Sequence, residues 1–307
     1  MDRRALLGAG AALAATSAFA ADAKFSGRAF KVPDGACDCH HHIYDPRWSY
    51  IPGAALTPPP APVADYRKVQ HRLGTSRDVV VQPSSYGTDN RCLLDVLKQL
   101  GDGCRGVCVV NSRVSDAALK ALHAAGVRGL RIQFGLGNPV SADEVRPLAR
   151  RIHELGWHIQ INMPPEQLTQ MEPVLRALPV PVMIDHLGRA TASNQPQYAA
   201  VRRLLDGGRC WVKLSGATLV SQAPDGRDVT SAALGYVRAA PERCVWGSDW
   251  PHPESTRRVD PVPMPDDMAV LNRLAQWATT EKLRHRILVE NPESFYGFDP
   301  ARRPKAL

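Results

Sequence analysis

The 307-residue sequence lacks an apolar run of the ~20 residues that a membrane-spanning helix needs. The apolar stretch from Ala5 to Ala20 is shorter than that and rich in alanine and glycine, which argues against a stable anchor. No run of five basic residues occurs. The 38 Lys and Arg are scattered among 30 Asp and Glu, so the net charge of +8 does not form a nucleic-acid-binding tract. Mild positive charge of this kind instead favours an acidic small molecule drawn towards a cleft. No CxxC pairs are present to build a structural zinc site. The seven cysteines (Cys37, Cys39, Cys92, Cys104, Cys108, Cys210 and Cys244) are odd in number and mostly lie inside apolar, strand-like runs, so buried free thiols are expected. Between residues 36 and 298 there is neither a Gly/Ser or Pro linker that would divide two domains nor a repeat of fixed period, which excludes a solenoid.

What is present begins with a targeting segment. Arg3-Arg4 precedes Leu6-Leu7, an apolar stretch runs through Phe19, and Ala18-Phe19-Ala20 supplies an A-x-A cleavage signal before Ala21. Residues 1–20 read as an export signal that resembles the twin-arginine type, although Asp2 departs from the preferred Ser or Thr. A periplasmic location follows, with residues 21–307 forming one domain.

Within that domain, strand-like and helix-like segments alternate. Eight runs read as strands: 36–44, 77–83, 105–111, 126–134, 157–162, 181–188, 211–216 and 244–250. Helical periodicity fills the gaps. Asn90 to Gly101 places Leu93, Leu94, Val96, Leu97 and Leu100 on one face, and Asp116 to Ala125 and Ala142 to Leu155 behave similarly. Eight βα units predict an α/β fold, a TIM-type (β/α)8 barrel. The Pro-rich stretch Thr57 to Pro62 is then the first βα loop, and segments Gln222 to Val229 and Pro251 to Asp267 lie at the same rim.

Barrel chemistry is carried by side chains at the carboxyl ends of strands, and the rare polar residues fall there. His40 and His42 are two apart, so in a strand they share a side, while His41 points away and reads as structural. His186 follows Asp185 at the end of the sixth strand, and Asp249 closes the eighth. His158 begins its strand and is left out. Arg131 ends the fourth strand, placed to hold a carboxylate through paired hydrogen bonds. Arg128 takes the opposite face by parity, where a surface salt bridge is expected. Ser84, Tyr86 and Thr88 offer hydroxyls beside the second strand, and Lys213 lies on the seventh.

Five segments carry a family resemblance: Asp38-Cys39-His40-His41-His42, Gln82 to Asn90 (QPSSYGTDN), Gly129-Leu130-Arg131, Ile184-Asp185-His186-Leu187-Gly188-Arg189 and Trp246-Gly247-Ser248-Asp249-Trp250-Pro251-His252-Pro253. Together they resemble the 2-pyrone-4,6-dicarboxylate hydrolase group of the amidohydrolase superfamily. The resemblance implies hydrolysis of a lactone ester, with Asp249 as the general base that activates water and His40, His42 and His186 polarising the carbonyl. It implies no required metal. Zinc held by His40, His42, His186 and Asp249 is the alternative, although the end of the fifth strand offers Asn162 where metal-binding relatives commonly have a ligand. Positions where that group carries further arginines and tyrosines hold Gly137, Leu219, Leu56 and Asn162 here, so a sugar-acid lactone or another singly carboxylated lactone fits as well as the dicarboxylate. Two other readings use the same barrel: a metal-dependent decarboxylase, hydratase or lactone isomerase, and a non-catalytic exported binding protein. A complete set of base and histidines argues against the second of these.

Overall fold

The computed structural model describes residues 27–133, 141–221, 223, 226–257 and 264–307. The segment 1–20, expected to be an export signal, lies outside the described residues, as do Gly137 and parts of the two expected rim segments at 222–229 and 251–267. Eight parallel strands form one sheet in the order of the chain: β1 (Cys37–His41), β2 (Arg77–Val81), β3 (Cys104–Cys108), β4 (Val127–Gln133), β5 (His158–Asn162), β6 (Val182–Ile184), β7 (Cys210–Leu214) and β8 (Cys244–Trp246). Residues just beyond β8 close the ring on β1. The Asp249 amide donates to the His40 carbonyl at 2.7 Å, and the His42 amide donates to the Trp250 carbonyl at 2.7 Å. The expected TIM-type barrel is therefore present.

A helix follows each strand. They are α1 (Val63–Leu73), α2 (Arg91–Leu100), α3 (Asp116–Ala124), α4 (Ala142–His153), α5 (Pro165–Arg176), α6 (Pro196–Asp206), a short α7 (Ala217–Val220) with α8 (Thr230–Ala239), and α9 (Asp267–Trp277), before the terminal α10 (Glu281–His285) and α11 (Asn291–Tyr296). The helical periodicity of α2 becomes a buried face of Cys92, Leu93, Val96, Leu97 and Leu100. Caps set several starts: the Ser115 side chain accepts from the Ala118 amide ahead of α3, and Ser141 with Glu144 forms a capping box on α4. No helix among the described residues is long and apolar enough to cross a membrane.

The strands are shorter at their carboxyl ends than their sequence pattern implies, most clearly 181–188 against Val182–Ile184 and 244–250 against Cys244–Trp246. The cause is local. His186 (φ 51°) and Asp249 (φ 66°) adopt left-handed backbone, which takes the chain out of the ladder where its functional side chains begin. A large apolar layer lies between barrel and helices, and a smaller cluster of Cys37, Cys39, Val79, Val81, Val107, Met183 and Val245 lies with Tyr296 and Phe298. Phe295 stacks near Trp211 (4.5 Å) and His158 (4.6 Å), so α11 covers the amino-terminal end of the barrel. All seven cysteines are buried and free, as expected.

Candidate active site

The first two histidines owe their placement to an irregularity in β1. Its register against β2 shifts between Asp38 and His41. Asp38 and His41, three apart, consequently share the outer face. His41 pairs with Asp78 at 3.1 Å and stacks on Tyr66 at 3.7 Å, and the Tyr66 hydroxyl donates to Asp38 at 3.2 Å. His40 and His42 turn inward instead, with their Nε2 atoms 3.3 Å apart. Asp249 Oδ1 lies 3.6 Å from His40 Nε2, 3.7 Å from His42 Nε2 and 3.9 Å from His186 Nε2. Four groups from three stretches of chain thus converge on one point at the carboxyl-terminal mouth. Gly247 permits this approach, because a Cβ there would fall 2.6 Å from His40 Cβ.

Burial governs the charge states. It pushes the three imidazoles well below the ordinary histidine range, so each is neutral, with cationic neighbours acting in the same direction. Burial likewise pushes the Asp249 carboxyl well up, the Glu254 carboxylate adds to this, and Arg131 opposes it. Beneath the four lies a buried polar layer. Arg131 donates to Asp185 Oδ2 at 3.2 Å, Gln160 donates to the same oxygen at 3.0 Å, and Lys213 donates to Gln160 Oε1 at 2.7 Å and His40 Nδ1 at 3.2 Å. Burial would raise the Asp185 carboxyl, but Lys213 and Arg131 outweigh it and the net shift is downward. Burial draws the Lys213 ammonium down to about 8, against the pull of Asp185.

Above the four groups opens a recess of about 250 Å³ lined by His42, Tyr44, Leu56, Ser84, Arg131, Gln133, His186, Asp249 and Glu254, among others. Of the residues expected to hold substrate, Arg131 and Ser84 reach this wall. Tyr86 does not, because it is buried and its hydroxyl donates to the Asp45 carbonyl at 3.3 Å. Thr88 is exposed away from the recess, and Lys213 lies below it against His40. Among the described residues Arg128 has no partner for the surface salt bridge expected of it; it is half-buried and donates to the His123 and Val127 carbonyls. Sequence reasoning passed over Asp185, Gln160, Glu254 and Arg189. Arg189 donates to Asn162 Oδ1 at 3.2 and 3.1 Å and acts on the Asp249 charge. Asp185 was visible as the residue before His186, but its partners are set by contacts across the barrel.

His40, His42 and Asp249 each offer a ligand atom within 4.8 Å of the others, and so do His40, Asp185 and His186. Ligands about a tetrahedral zinc at ~2.0–2.1 Å stand roughly 3.3 Å apart, so the spacing of the imidazoles suits a small divalent cation. At the end of β5, Asn162 is engaged by Arg189.

Comparison with known proteins agrees with this geometry. The amidohydrolase family profile matches residues 37–298. The 2-pyrone-4,6-dicarboxylate hydrolase of Comamonas testosteroni is 34% identical over 284 residues, spanning 87% of this chain and 92% of its own. The 4-sulfomuconolactone hydrolase of Rhizobium radiobacter is 34% identical over 278 residues, with the same 87% and 92% coverage. A crystal structure of a probable 2-pyrone-4,6-dicarboxylic acid hydrolase from Acinetobacter baumannii, with citric acid bound, superposes with a TM-score of 0.77 at 26% identity, covering 86% of this chain and 100% of the other. With the barrel, the histidine pair of β1, the histidine after β6 and the aspartate after β8 all in place, the chain belongs to the amidohydrolase family.

Proposed function

We propose that the protein is a hydrolase that opens the ester bond of an anionic lactone, with Asp249 activating the attacking water. The observation that carries this reading is the near-equal distance, 3.6, 3.7 and 3.9 Å, from Asp249 Oδ1 to three neutral imidazoles. These separations are too long for direct hydrogen bonds and let a single oxygen atom bridge the carboxylate and the rings. Water attacks the lactone carbonyl carbon and Asp249 takes its proton, while the carbonyl oxygen gains negative charge among the imidazoles. Burial makes this carboxylate a stronger base than a solvated one. As the tetrahedral centre collapses, the ring C–O bond breaks, and the proton on Asp249 returns to the departing oxygen, leaving a ring-opened carboxylic acid that gives up its remaining proton to solvent to become the carboxylate.

Arg131 is the proposed anchor for the anionic substituent, with Ser84 on the same recess wall; two relatives are named for a carboxylated and a sulfonated lactone. Leu56 on the recess wall and Leu219 on α7 offer no polar group at positions where the resemblance implies a tyrosine and an arginine, which favours a substrate with one anionic group. A metal, if bound, would be held by His40, His42, His186 and Asp249 and would supply Lewis-acid polarisation of the carbonyl. In our reading no metal is obligatory, because Arg131 and neutral N–H donors already offer positive potential there. The test is a panel of carboxylated, sulfonated and uncharged lactones, with bound metal measured on the same protein sample. Ring opening of an anionic lactone by metal-depleted protein is expected; inactivity on the whole panel would end the proposal. The twin-arginine-like segment supports export to the periplasm, which predicts native protein beginning near Ala21 on N-terminal sequencing; an intact Met1 would contradict it.

A further inference from the structure

A neutral imidazole has one N–H and one lone pair, and the group behind the ring decides which nitrogen carries the hydrogen. Behind His42 stands the Val81 carbonyl oxygen, 2.7 Å from Nδ1. A carbonyl only accepts, so Nδ1 donates and Nε2 turns a lone pair towards the site. Behind His40 stands Lys213 Nζ, 3.2 Å from Nδ1. An ammonium only donates, so Nδ1 accepts and Nε2 carries the hydrogen. The two assignments agree with each other: the Nε2 atoms are 3.3 Å apart, and a donor facing an acceptor makes that contact a hydrogen bond. A directed chain therefore runs from Lys213 through His40 and His42 to the Val81 carbonyl. His186 is not fixed in this way, since its Nδ1 partner, Ser215 Oγ at 3.1 Å, can donate or accept.

We infer that Lys213 is a positioning residue whose ammonium locks His40 in the Nε2–H tautomer; this one hydrogen points to His42 in the free protein and turns to the reacting carbonyl oxygen when substrate binds, while His42 is an acceptor. The tautomer rests on what each Nδ1 faces, an ammonium at His40 and a carbonyl at His42; its catalytic meaning rests on the lactone reading. The expectation that all three histidines polarise the carbonyl is thereby narrowed, because neutral His42 has no hydrogen to offer at Nε2.

The same observation bears on metal. A histidine ligating through Nε2 needs its lone pair there and its hydrogen on Nδ1, usually held by a carboxylate or carbonyl behind it. His40 has such a carboxylate within reach. Asp185 Oδ1 is 3.3 Å from His40 Nδ1 and, among the described residues, makes no hydrogen bond of its own, its other close contact being the Lys213 ammonium at 3.7 Å. Lys213 outcompetes it for the ring nitrogen. Replacing Lys213 with Met removes the donor, lets His40 Nδ1–H turn to Asp185, and points a lone pair into the site.

The test is nitrogen-15 NMR of the histidine-labelled full chain, free of metal, with His40 assigned by its loss in His40→Gln. In the wild type, Nδ1 is expected to resonate as the unprotonated nitrogen and Nε2 as the protonated one, with the two exchanged in Lys213→Met. Zinc titration of the same samples is expected to show about 10-fold or greater tightening in Lys213→Met, and ring-opening kcat a loss of roughly 100-fold, the order of one lost carbonyl donor. Protonated Nδ1 in wild-type His40 would overturn the inference, and so would a folded Lys213→Met whose tautomer and zinc affinity match the wild type. The wild-type spectrum needs no variant to fold. It also separates the two proposals, since the expected tautomer in a protein inactive on every lactone removes the lactone reading and leaves the assignment intact.

Discussion

Arg131 is 2% exposed and serves two partners at once: it neutralises Asp185 below and lines the recess above. Replacing it with Met removes the proposed charge-assisted contact to an anionic substituent, worth about 1.5–3 kcal/mol, or roughly 10- to 100-fold in kcat/KM. The loss is expected to be larger for a carboxylated lactone than for an uncharged lactone of the same ring. Equal losses on both would confine Arg131 to structure. The variant should also be less stable by about 3 kcal/mol, because a buried carboxylate loses one of its two cations, and a thermal melt checks this. At this scale the four converging groups were legible because polar residues at strand ends are rare and each had a defined parity. The contact between Lys213 and His40 was not. The two are 173 residues apart, and only a closed barrel brings them within 3.2 Å.

Elements carry the precision of the site. The register shift in β1 sends Asp38 and His41 outward and His40 and His42 inward, and Asp38 then accepts from the His40 amide, the Tyr66 hydroxyl and both the amide and hydroxyl of Ser248. One buried carboxylate thus ties β1 to the residues that follow β8. Gly247 lies in the same seam. A methyl group there meets His40 Cβ at 2.6 Å and His40 backbone nitrogen at 2.8 Å, and no rotamer change relieves a backbone clash. Gly247→Ala is therefore expected to cost about 1–3 kcal/mol in a thermal or urea melt and to abolish most turnover by displacing His40. Wild-type stability with wild-type kcat would show that the seam is not rigid. Helix positions were legible because their apolar spacing follows 3.6 residues per turn. Strand ends were not, since the segments at 185–189 and 247–250 keep strand-like composition while His186 and Asp249 leave the ladder through left-handed backbone.

For the whole molecule, the barrel could be counted from eight strand-like segments, but what fastens the carboxyl-terminal segment to it could not, because that depends on an ion pair between residues 216 apart. Glu293 accepts from Arg77 at 2.6 Å and from Arg303 at 2.7 and 2.8 Å, and Arg77 also donates to the Asp299 carbonyl at 2.7 Å. Burial would raise the Glu293 carboxyl, but the bonds from Arg303 and Arg77 outweigh it and hold it below its unperturbed 4.5. A carboxylate lowered on folding binds protons more readily in the unfolded chain. Its contribution is therefore complete above the unfolded value and is lost as pH falls through the folded one. Glu293→Gln is expected to lower the melting temperature at neutral pH, with the gap to wild type closing as the pH drops below 4.5. A gap independent of pH would show that charge at this clasp is immaterial. The proposed chemistry unites barrel, seam and site in Asp249, whose left-handed backbone Asn tolerates as well as Asp. The most direct measurement is kcat for opening an anionic lactone by wild type and Asp249→Asn, both chelator-treated and both shown to melt alike. A fall of about 100- to 10,000-fold is predicted for loss of the general base, and near-wild-type turnover in the variant would contradict the account.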